Sequence, residues 1–247
     1  MKGIAYGKSF YEPMRHQPTV AAALAEVCRI SNMDRQKIID LQTSYDAVAE
    51  EYVRRIFDEL QHKPMDCRLL DRFAAAIQEA GTVCDLGCGP GHVARYLDAR
   101  GVKVIGIDLS TGMIEQARQL NPGIAFQQGN MLALDVEDEA WAGVVAFYSI
   151  IHIPRDEVVR ALIEIKRTLR PGAPLLLAFH IGEEVTHLDE LWDIPISADY
   201  AFFQPVEMAG YLRAAGFVIE EVIERPPYEN IEYPSHRAYL FAQKPAA

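Results

Sequence analysis

The stretch VCDLGCGPGHVARYLDARGVKVIGIDLS, residues 83–110, joins two short apolar runs through a glycine-rich turn and an amphipathic segment, and it ends near Asp108. This order predicts a strand, a tight turn, a helix and a parallel strand, which together form the nucleotide-binding unit of a doubly wound sheet. Ligands of such sheets lie beyond the carboxyl ends of the strands. An acid that ends the second strand can accept hydrogen bonds from ribose hydroxyls, so Asp108 is a candidate ribose-binding residue.

The glycine spacing of the turn distinguishes between two kinds of nucleotide. The glycines are Gly87, Gly89 and Gly91, whereas a dinucleotide fingerprint needs its third glycine where His92 stands. Asp85 precedes the turn, and a carboxylate that faces the ligand repels a pyrophosphate but attracts an ammonium group. The turn therefore favours a zwitterionic nucleoside over a dinucleotide.

The rest of the chain alternates between strand and helix patterns, which predicts parallel pairing with right-handed crossovers. We predict strands at Thr82–Asp85, Lys103–Ile107, Ala125–Gln128, Gly143–Tyr148, Pro174–Phe179, Val218–Ile223 and Arg237–Ala242. We predict helices at His92–Arg100, Thr111–Leu120, Arg155–Leu169 and Pro205–Ala215. No helix joins the last two strands, so one of them should run antiparallel. The expected fold class is α/β, a doubly wound, Rossmann-like, seven-stranded and mostly parallel sheet with one antiparallel strand and N-terminal helices.

The N-terminal part of the chain predicts helices. Apolar residues recur every three or four positions from Ile38 to Leu60, which predicts a helix that ends before Pro64. The stretch CRLLDRFAAAIQEAG, residues 67–81, predicts a second helix closed by Gly81. We divide the chain into an N-terminal extension without an assigned structure, residues 1–33, and one domain, residues 34–247. Within that domain, residues 34–81 form a helical cap and residues 181–204 form an insert that covers the substrate.

Charge and cysteine content limit the expected partners and location. Lys and Arg number 24 and Asp and Glu number 35, for a formal net charge of −11. Phosphate backbones and anionic membranes repel such a chain, so we expect neither nucleic acid nor a membrane as partner. No stretch approaches the roughly 18 apolar residues of a membrane span. The four cysteines form no CxxC pair and no metal-ligand spacing, so we expect reduced thiols, a cytoplasmic location and metal-independent chemistry.

The ordered motifs of the chain resemble those of a known family. VCDLGCGPG, residues 83–91, together with VIGIDLS, residues 104–110, resembles the signature of class I S-adenosylmethionine-dependent methyltransferases. YDAVAEEY precedes it, and GNMLALD, VVAFYSIIHIP and IKRTLRPGAPLLLAF follow it, in that family's order. The resemblance extends from Tyr45 to the C terminus. It implies that S-adenosylmethionine is the cofactor, that S-adenosylhomocysteine is its product, and that residues 34–247 form a methyltransferase domain.

The resemblance also implies a set of cofactor-binding residues. Those assigned to the methionine moiety, the ribose and the adenine are Tyr45, Asp85, Gly87, Cys88, Gly89, Asp108, Leu109, Met113, Asn130 and Met131. The family often has Asp where Asn130 stands, but an amide oxygen can still accept a hydrogen bond from the adenine amine. Packing in the core is the alternative for Tyr45 and Met113.

Three residues near the ends of the fourth and fifth strands are candidates for catalysis. His152 lies in the loop where members of the family meet both the methyl group and the acceptor, and His180 ends the fifth strand. Histidine titrates near neutral pH and can accept a proton there. Tyr148 is the third candidate. Ordering of a loop is the alternative for the histidines, and core packing is the alternative for Tyr148.

The expected substrate is a small molecule. RPPY, residues 225–228, resembles the loop that amino-methyltransferases place after the fourth strand, but here it begins with Arg and follows a later strand. Together with the acidic charge, this argues against a DNA or RNA base as substrate. We therefore expect methyl transfer from S-adenosylmethionine to a small-molecule acceptor, with the acceptor atom open between oxygen and nitrogen. A nicotinamide-dependent oxidoreductase and a non-catalytic S-adenosylmethionine-binding protein are the two alternatives.

Overall fold

The computed structural model describes residues 20–77 and 81–246, with side chains from residue 35 onward. The helices are α1 (Val20–Ile56), α2 (Pro64–Ile77), α3 (His92–Asp98), α4 (Thr111–Leu120), α5 (Val158–Thr168) and α6 (Pro205–Ala214), and 3₁₀ turns occur at Glu59–His62 and Ile150–His152. The strands are β1 (Val83–Leu86), β2 (Val104–Asp108), β3 (Ala125–Gln128), β4 (Gly143–Phe147), β5 (Pro174–His180), β6 (Val185–Leu191), β7 (Ile194–Ala201), β8 (Val218–Arg225) and β9 (Arg237–Gln243). Residues 1–38 and 39–247 are separate units, and the sheet and the site lie in the second.

Seven of the strands form one sheet in the order β3-β2-β1-β4-β5-β9-β8. The pairs from β3 to β5 are parallel, whereas β9 runs antiparallel to both of its neighbours. The predicted fold class is therefore confirmed. The strand order reverses between β1 and β4, which is where a doubly wound sheet forms its ligand crevice.

The core lies on both faces of the sheet. All four residues of β1 are buried, and β5 is buried from Leu175 to Phe179. Strands covered by helices on both faces read as continuous apolar runs, which explains why these segments lack polar alternation. Each fully buried Leu, Ile or Val side chain contributes roughly 1.5–3 kcal/mol relative to its exposed state.

The predicted insert, residues 181–204, contains a β-hairpin that the sequence analysis did not assign. Strands β6 and β7 pair antiparallel, and the tip residues Trp192 and Asp193 both have positive φ, 57° and 63°. Two positive φ values are what a two-residue hairpin turn requires, although Trp-Asp is not a preferred turn sequence. Most of the hairpin's side chains are at least partly exposed, so its apolar pattern is weak and the segment resembled a loop.

The N-terminal helices also differ from the predictions. Helix α1 ends at Ile56, earlier than Leu60, and Pro64 begins α2 instead of merely ending the preceding helix. Proline suits a first helical position, because its missing N–H would have no partner there. Most of the predicted extension, and residues 78–80 of the second predicted helix, lie outside the described residues. The division into domains stays a prediction.

Candidate methyl-transfer site

A cavity of about 120 Å³ lies beyond the carboxyl ends of β1, β2 and β4. The sequence-predicted residues that line it are Tyr45, Gly87, Gly89, Asp108, Leu109, Met113, Asn130, Met131, Tyr148 and His152. Asp85, Cys88 and His180 are not among the lining residues. Eight of the ten predicted cofactor residues and two of the three catalytic candidates therefore line the same cavity.

The glycine turn is fastened to the neighbouring strand by its backbone. The amides of Gly87 and Cys88 both donate to the carbonyl of Ile107, at 2.7 and 3.0 Å. Gly87 has φ +73°, and a Cβ there would lie 2.8 Å from Ser149 Oγ. Glycine is therefore required at this position both by the left-handed backbone and by the close approach of Ser149.

Asp108 holds the turn from the end of β2. Its Oδ2 accepts from the Gly89 amide at 2.8 Å, and its Oδ1 accepts from the Ser110 amide at 2.9 Å. Burial raises the pKa of Asp108, while these backbone hydrogen bonds act in the opposite direction. A carboxylate oxygen has more than one lone pair, so each oxygen can accept a further hydrogen bond from a ligand hydroxyl.

Helix α4 begins at the same place and is tied to α1. Ser110 Oγ accepts from the Met113 amide at 3.0 Å, so Ser110 is the N-cap of α4. Asp46 Oδ1 of α1 accepts from Ser110 Oγ at 2.5 Å and from the Gly112 amide at 2.8 Å. These bonds fix α1 against the start of α4, next to Asp108.

Asp85 does not face the cavity, contrary to the expectation from the sequence. Its side chain is buried, and Oδ2 accepts from the Ala94 amide in the first turn of α3 at 2.9 Å. Burial raises the pKa of Asp85 to about 7. Asp85 therefore accepts from the first turn of α3, behind the glycine turn. It does not face the ligand, so it cannot repel a pyrophosphate directly as expected from the sequence.

Cys88 also lies behind the turn. It is buried, and its Sγ would lie 2.9 Å from a Cβ added to Gly106 of β2. Burial raises the pKa of the Cys88 thiol well above its usual value, so the sulfur is a neutral packing group.

Glu59 and His92 line the cavity and were not predicted from the sequence as site residues. Glu59 Oε1 lies 3.3 Å from His92 Nε2, and its Oε2 accepts from Lys63 Nζ at 2.6 Å. Burial alone would raise the pKa of Glu59, but the His92 hydrogen bond and the Lys63 charge outweigh it and hold that pKa at about 2. His92 Nδ1 is buried and has no hydrogen-bond partner among the described residues. No sequence motif links these residues, since only the fold brings position 59 next to position 92.

Asn130 is partly engaged within its own loop. Its Oδ1 accepts from the Leu132 amide at 2.9 Å, which leaves one lone pair and the whole amide NH₂ for a ligand. Met113 is 1 % exposed and packs with Val48 and Ala49 of α1 while also lining the cavity. Core packing and ligand contact are therefore compatible at Met113.

His152 lines the cavity and lies in a cluster of rings with Tyr45 and Tyr200. Its Nε2 is 2.7 Å from Tyr45 Oη, and its Nδ1 is 3.0 Å from the carbonyl of Asp199 in β7. Tyr200 Oη lies 3.2 Å from Tyr45 Oη. Burial lowers the pKa of His152 to about 4, so the imidazole is neutral at neutral pH.

His180 belongs to a different cluster. Its Nδ1 is 2.7 Å from Ser235 Oγ, and the rings of Tyr148, Phe202 and Tyr233 surround it. Burial, followed by the charge of Arg237, lowers the pKa of His180 to about 3. His180 thus matches the alternative that the sequence left open, a histidine that orders neighbouring loops.

Tyr148 contributes its ring to the cavity but directs its hydroxyl into a buried network. Its Oη lies 3.0 Å from Tyr239 Oη and 3.3 Å from Asp66 Oδ1. Asp66 in turn accepts from Arg225 Nη2 at 2.9 Å. The hydroxyl of Tyr148 is therefore engaged by structural partners.

The hairpin of β6 and β7 is attached to α1. Ser44 Oγ accepts from the Ser197 amide at 2.8 Å, and the rings of Tyr52 and Trp192 meet edge to face with centroids 5.8 Å apart. Leu191 and Ile194 pack against the same helix cluster. The hairpin therefore packs against the part of α1 that carries the cavity-lining residues Tyr45 and Tyr52.

No three His, Cys, Asp or Glu residues within residues 35–77 and 81–246 are arranged to hold a metal ion. No helix in this part of the chain combines the length and apolar character that crossing a membrane requires.

Sequence comparison relates the chain to methyltransferases. Residues 83–172 match the family model described as a methyltransferase domain. The chain is 27 % identical to a malonyl-[acyl-carrier protein] O-methyltransferase from Enterobacter lignolyticus over 59 % of this chain and 58 % of that protein. It is 45 % identical to a trans-aconitate 2-methyltransferase from Methylobacterium nodulans over 22 % of each. The chain thus spans less than two thirds of the length of these relatives.

Solved structures show the same fold at low sequence identity. An S-adenosylmethionine-dependent methyltransferase from Methanosarcina mazei aligns with a TM-score of 0.63 and 19 % identity, over 69 % of this chain and 95 % of that one. The [4+2]-cyclase SpnF aligns with a TM-score of 0.59 and 20 % identity, over 73 % and 82 %. Since this fold also serves a cyclase, the assignment relies on the sequence match as well. Residues 83–172 therefore carry a methyltransferase domain, and the strand order and these neighbours show that the chain has the fold of the class I S-adenosylmethionine-dependent methyltransferases.

Proposed function

We propose that this protein transfers a methyl group from S-adenosylmethionine to a small-molecule acceptor. One observation carries the proposal: the glycine turn, Asp108, Tyr45 and His152 all line a single cavity. A bound donor supplies an activated methyl group on a sulfonium, whose leaving group is a neutral thioether. The protein's task is then to align two reactants and to exclude water.

The residues present fit such a donor. Glycines at the turn leave the backbone accessible, and Asp108 has free lone pairs for two ribose hydroxyls. Glu59 is an ionised carboxylate on the cavity wall, and His92 carries a buried nitrogen without a partner among the described residues. Glu59 suits the ammonium of an amino acid moiety, in place of the role first expected for Asp85.

The adenine side of the proposed site consists of Leu109, Met113, Asn130 and Met131. Three of these side chains are apolar, and Asn130 keeps donors for a base edge. Cys88 and Asp85 act from behind the turn, because both are buried and neither lines the cavity. His152 is the proposed group on the acceptor side, and His180 has no part in the transfer.

Calorimetric titration tests the proposal directly. We expect both S-adenosylmethionine and S-adenosylhomocysteine to bind, and NAD⁺ not to bind, because the turn lacks the dinucleotide spacing. A methyl-labelled donor offered with a broad set of small acceptors should then yield labelled product. Absence of binding to both sulfur compounds in folded protein would overturn the proposal. Binding without any turnover would instead favour the non-catalytic alternative.

A further inference from the structure

Three polar rings meet on the acceptor side of the cavity and form one hydrogen-bonded chain. Tyr45 Oη lies between His152 Nε2, at 2.7 Å, and Tyr200 Oη, at 3.2 Å. The three residues come from α1, from the 3₁₀ turn after β4 and from β7. Only Tyr45 and His152 line the cavity.

The partner of His152 Nδ1 fixes the direction of this chain. The carbonyl of Asp199 can only accept, so Nδ1 carries the proton of the neutral imidazole and Nε2 presents a lone pair. Tyr45 Oη must therefore donate to Nε2. Tyr200 then donates to the oxygen of Tyr45, which keeps one lone pair to accept a hydroxyl proton from a ligand in the cavity.

The charges of the cavity wall limit the ligand that fits there. Among the described lining residues, the ionised or ionisable acids are Glu59 and Asp108, and no Lys or Arg lines the space. A carboxylate acceptor would meet two acids and no cationic side chain of the protein on the cavity wall, which is unfavourable. Phe147, Met131 and Ile153 add apolar surface that suits an aromatic or otherwise uncharged molecule.

We propose that the acceptor is an uncharged hydroxyl compound of the phenol or enol type, and that Tyr45 takes its proton while passing its own proton to His152. This inference rests on the proposed function and names the substrate class of the same site. The hydroxyl oxygen forms the new bond to the methyl carbon as the carbon–sulfur bond breaks, and the sulfur keeps that electron pair. The hydroxyl proton moves to Tyr45 Oη, the Tyr45 proton moves to His152 Nε2, and the imidazolium later releases one proton to solvent.

This assignment gives Tyr45 a different task from the cofactor contact implied by the family resemblance. The 2.7 Å bond to His152 directs its hydroxyl toward the acceptor side. Tyr200 and Asp199 are positioning residues, because they hold the outer ends of the chain from β7. The hairpin therefore contributes to the site through β7 even though none of its residues lines the cavity.

The test compares phenols of different acidity in single-turnover transfer of a labelled methyl group. The acceptors are phenol, 4-methoxyphenol and 4-nitrophenol, with benzoate and trans-aconitate as carboxylates. We expect the unmodified protein to methylate phenols and neither carboxylate. Tyr45→Phe and His152→Gln should each reduce the rate on phenol by about 100-fold, the range for loss of acid–base catalysis. At pH 9, 4-nitrophenol is ionised, and the acids of the wall weaken its binding to every variant alike. At saturating 4-nitrophenol the same variants should therefore lose less than about fivefold in rate, because no proton has to be removed.

Controls separate this inference from the proposed function and from misfolding. Tyr211→Phe removes a hydroxyl that contacts Glu207, far from the cavity lining, and should change each rate by less than about twofold. Each variant is first titrated with S-adenosylhomocysteine, and unchanged affinity shows a folded cofactor site. Failure of the unmodified protein to bind that compound counts against the proposed function itself.

Four results would overturn the inference while cofactor binding stays intact. They are equal losses on phenol and 4-nitrophenol, methylation of either carboxylate, absence of methylation of every phenol by the unmodified protein, and a tenfold loss of cofactor affinity in Tyr45→Phe. The last result would assign the Tyr45 hydroxyl to the cofactor, as the resemblance implies.

Discussion

The two parts of the proposed site are built in different ways: the cofactor side, around the glycine turn and Asp108, and the acceptor side, around Tyr45 and His152. The cofactor side comes mainly from one continuous stretch, in which the turn amides bond to Ile107 and Asp108 of the next strand. The acceptor side joins Tyr45 to residues 107 and 155 positions away, His152 and Tyr200. A local stretch can specify the first arrangement by itself, whereas the second exists only after the helix, the turn and the hairpin have packed.

The two sides also differ in their chemistry. The cofactor side uses carboxylates and backbone amides, which suit a charged ligand with several hydroxyl groups. The acceptor side uses neutral rings, and burial keeps His152 uncharged. Since the same fold serves different reactions in its relatives, the acceptor side is where this chain should differ most from them. Substitutions on one side should therefore leave the other side largely intact.

The largest expected effect comes from Gly87→Ala. The new Cβ would clash with Ser149 and would also force alanine into a left-handed backbone at φ +73°. We expect a loss of about 3 kcal/mol in the free energy of unfolding, from strain and overpacking together. Urea denaturation measures this free energy.

Gly101→Ala is the matched control, because φ is +80° there but no atom lies within 4 Å of the added Cβ. A loss of about 1 kcal/mol is expected for that control. Equal losses in the two variants would contradict a close-packed turn.

Asp108→Ala tests the cofactor side by binding. The variant loses the acceptor of the Gly89 and Ser110 amides and the proposed ribose contacts. We expect affinity for S-adenosylhomocysteine to fall about 100-fold, which equals roughly 2.7 kcal/mol, measured by calorimetry. Asp98→Ala removes an exposed acid at the end of α3 and should leave affinity unchanged. If both variants bind equally well, Asp108 is not the ribose acid.

The geometry of the glycine turn could be predicted from the sequence because its requirements are local. Positive φ at Gly87, the acid that ends β2 and the Ser110 cap each follow from the residue type and its position in a strand–turn–helix unit. Asp85 and Cys88, which do not line the cavity, are the exceptions. The sequence places Asp85 at the end of β1 but does not show which group its carboxylate contacts. In the structure that contact is the Ala94 amide of α3.

The acceptor side could be predicted only in part. His152 was a candidate because the family resemblance places the acceptor at the loop after β4, but its partners were not predicted, since contacts across 107 and 47 positions leave no periodic signal. Glu59 and His92 were missed for the same reason. The hairpin was missed because an exposed, polar pair of strands lacks the apolar alternation by which strands are identified.

Asp85→Asn should change how stability depends on pH, and it sharpens the comparison because it acts behind the turn. The pKa of Asp85 is about 7 in the folded protein, above the value of about 4 in an unfolded chain. Ionisation therefore favours unfolding, and the unmodified protein should lose stability as pH rises from about 4 to about 7. Asn keeps an oxygen for the Ala94 amide and does not titrate. The difference in free energy of unfolding between the variant and the unmodified protein should therefore shift in favour of the variant by on the order of 2 kcal/mol from pH 5 to pH 8, measured by urea denaturation. A difference that stays constant between the two pH values would contradict the raised pKa.

Ser44→Ala is expected to have the smallest effect and should be confined to the acceptor side. The hydroxyl accepts from the Ser197 amide at 2.8 Å, so its removal leaves a backbone donor of β7 without that partner. A loss of about 1 kcal/mol is expected, with faster amide exchange over residues 185–201 and no change over residues 83–86. Ser197→Ala is the matched control, because Ser197 contributes its backbone to this contact and its side chain is exposed. That control should stay within about 0.5 kcal/mol of the unmodified protein. If amide exchange becomes faster in both β1 and the hairpin, the two sides of the cavity are coupled. That result would contradict the independence of the cofactor side and the acceptor side.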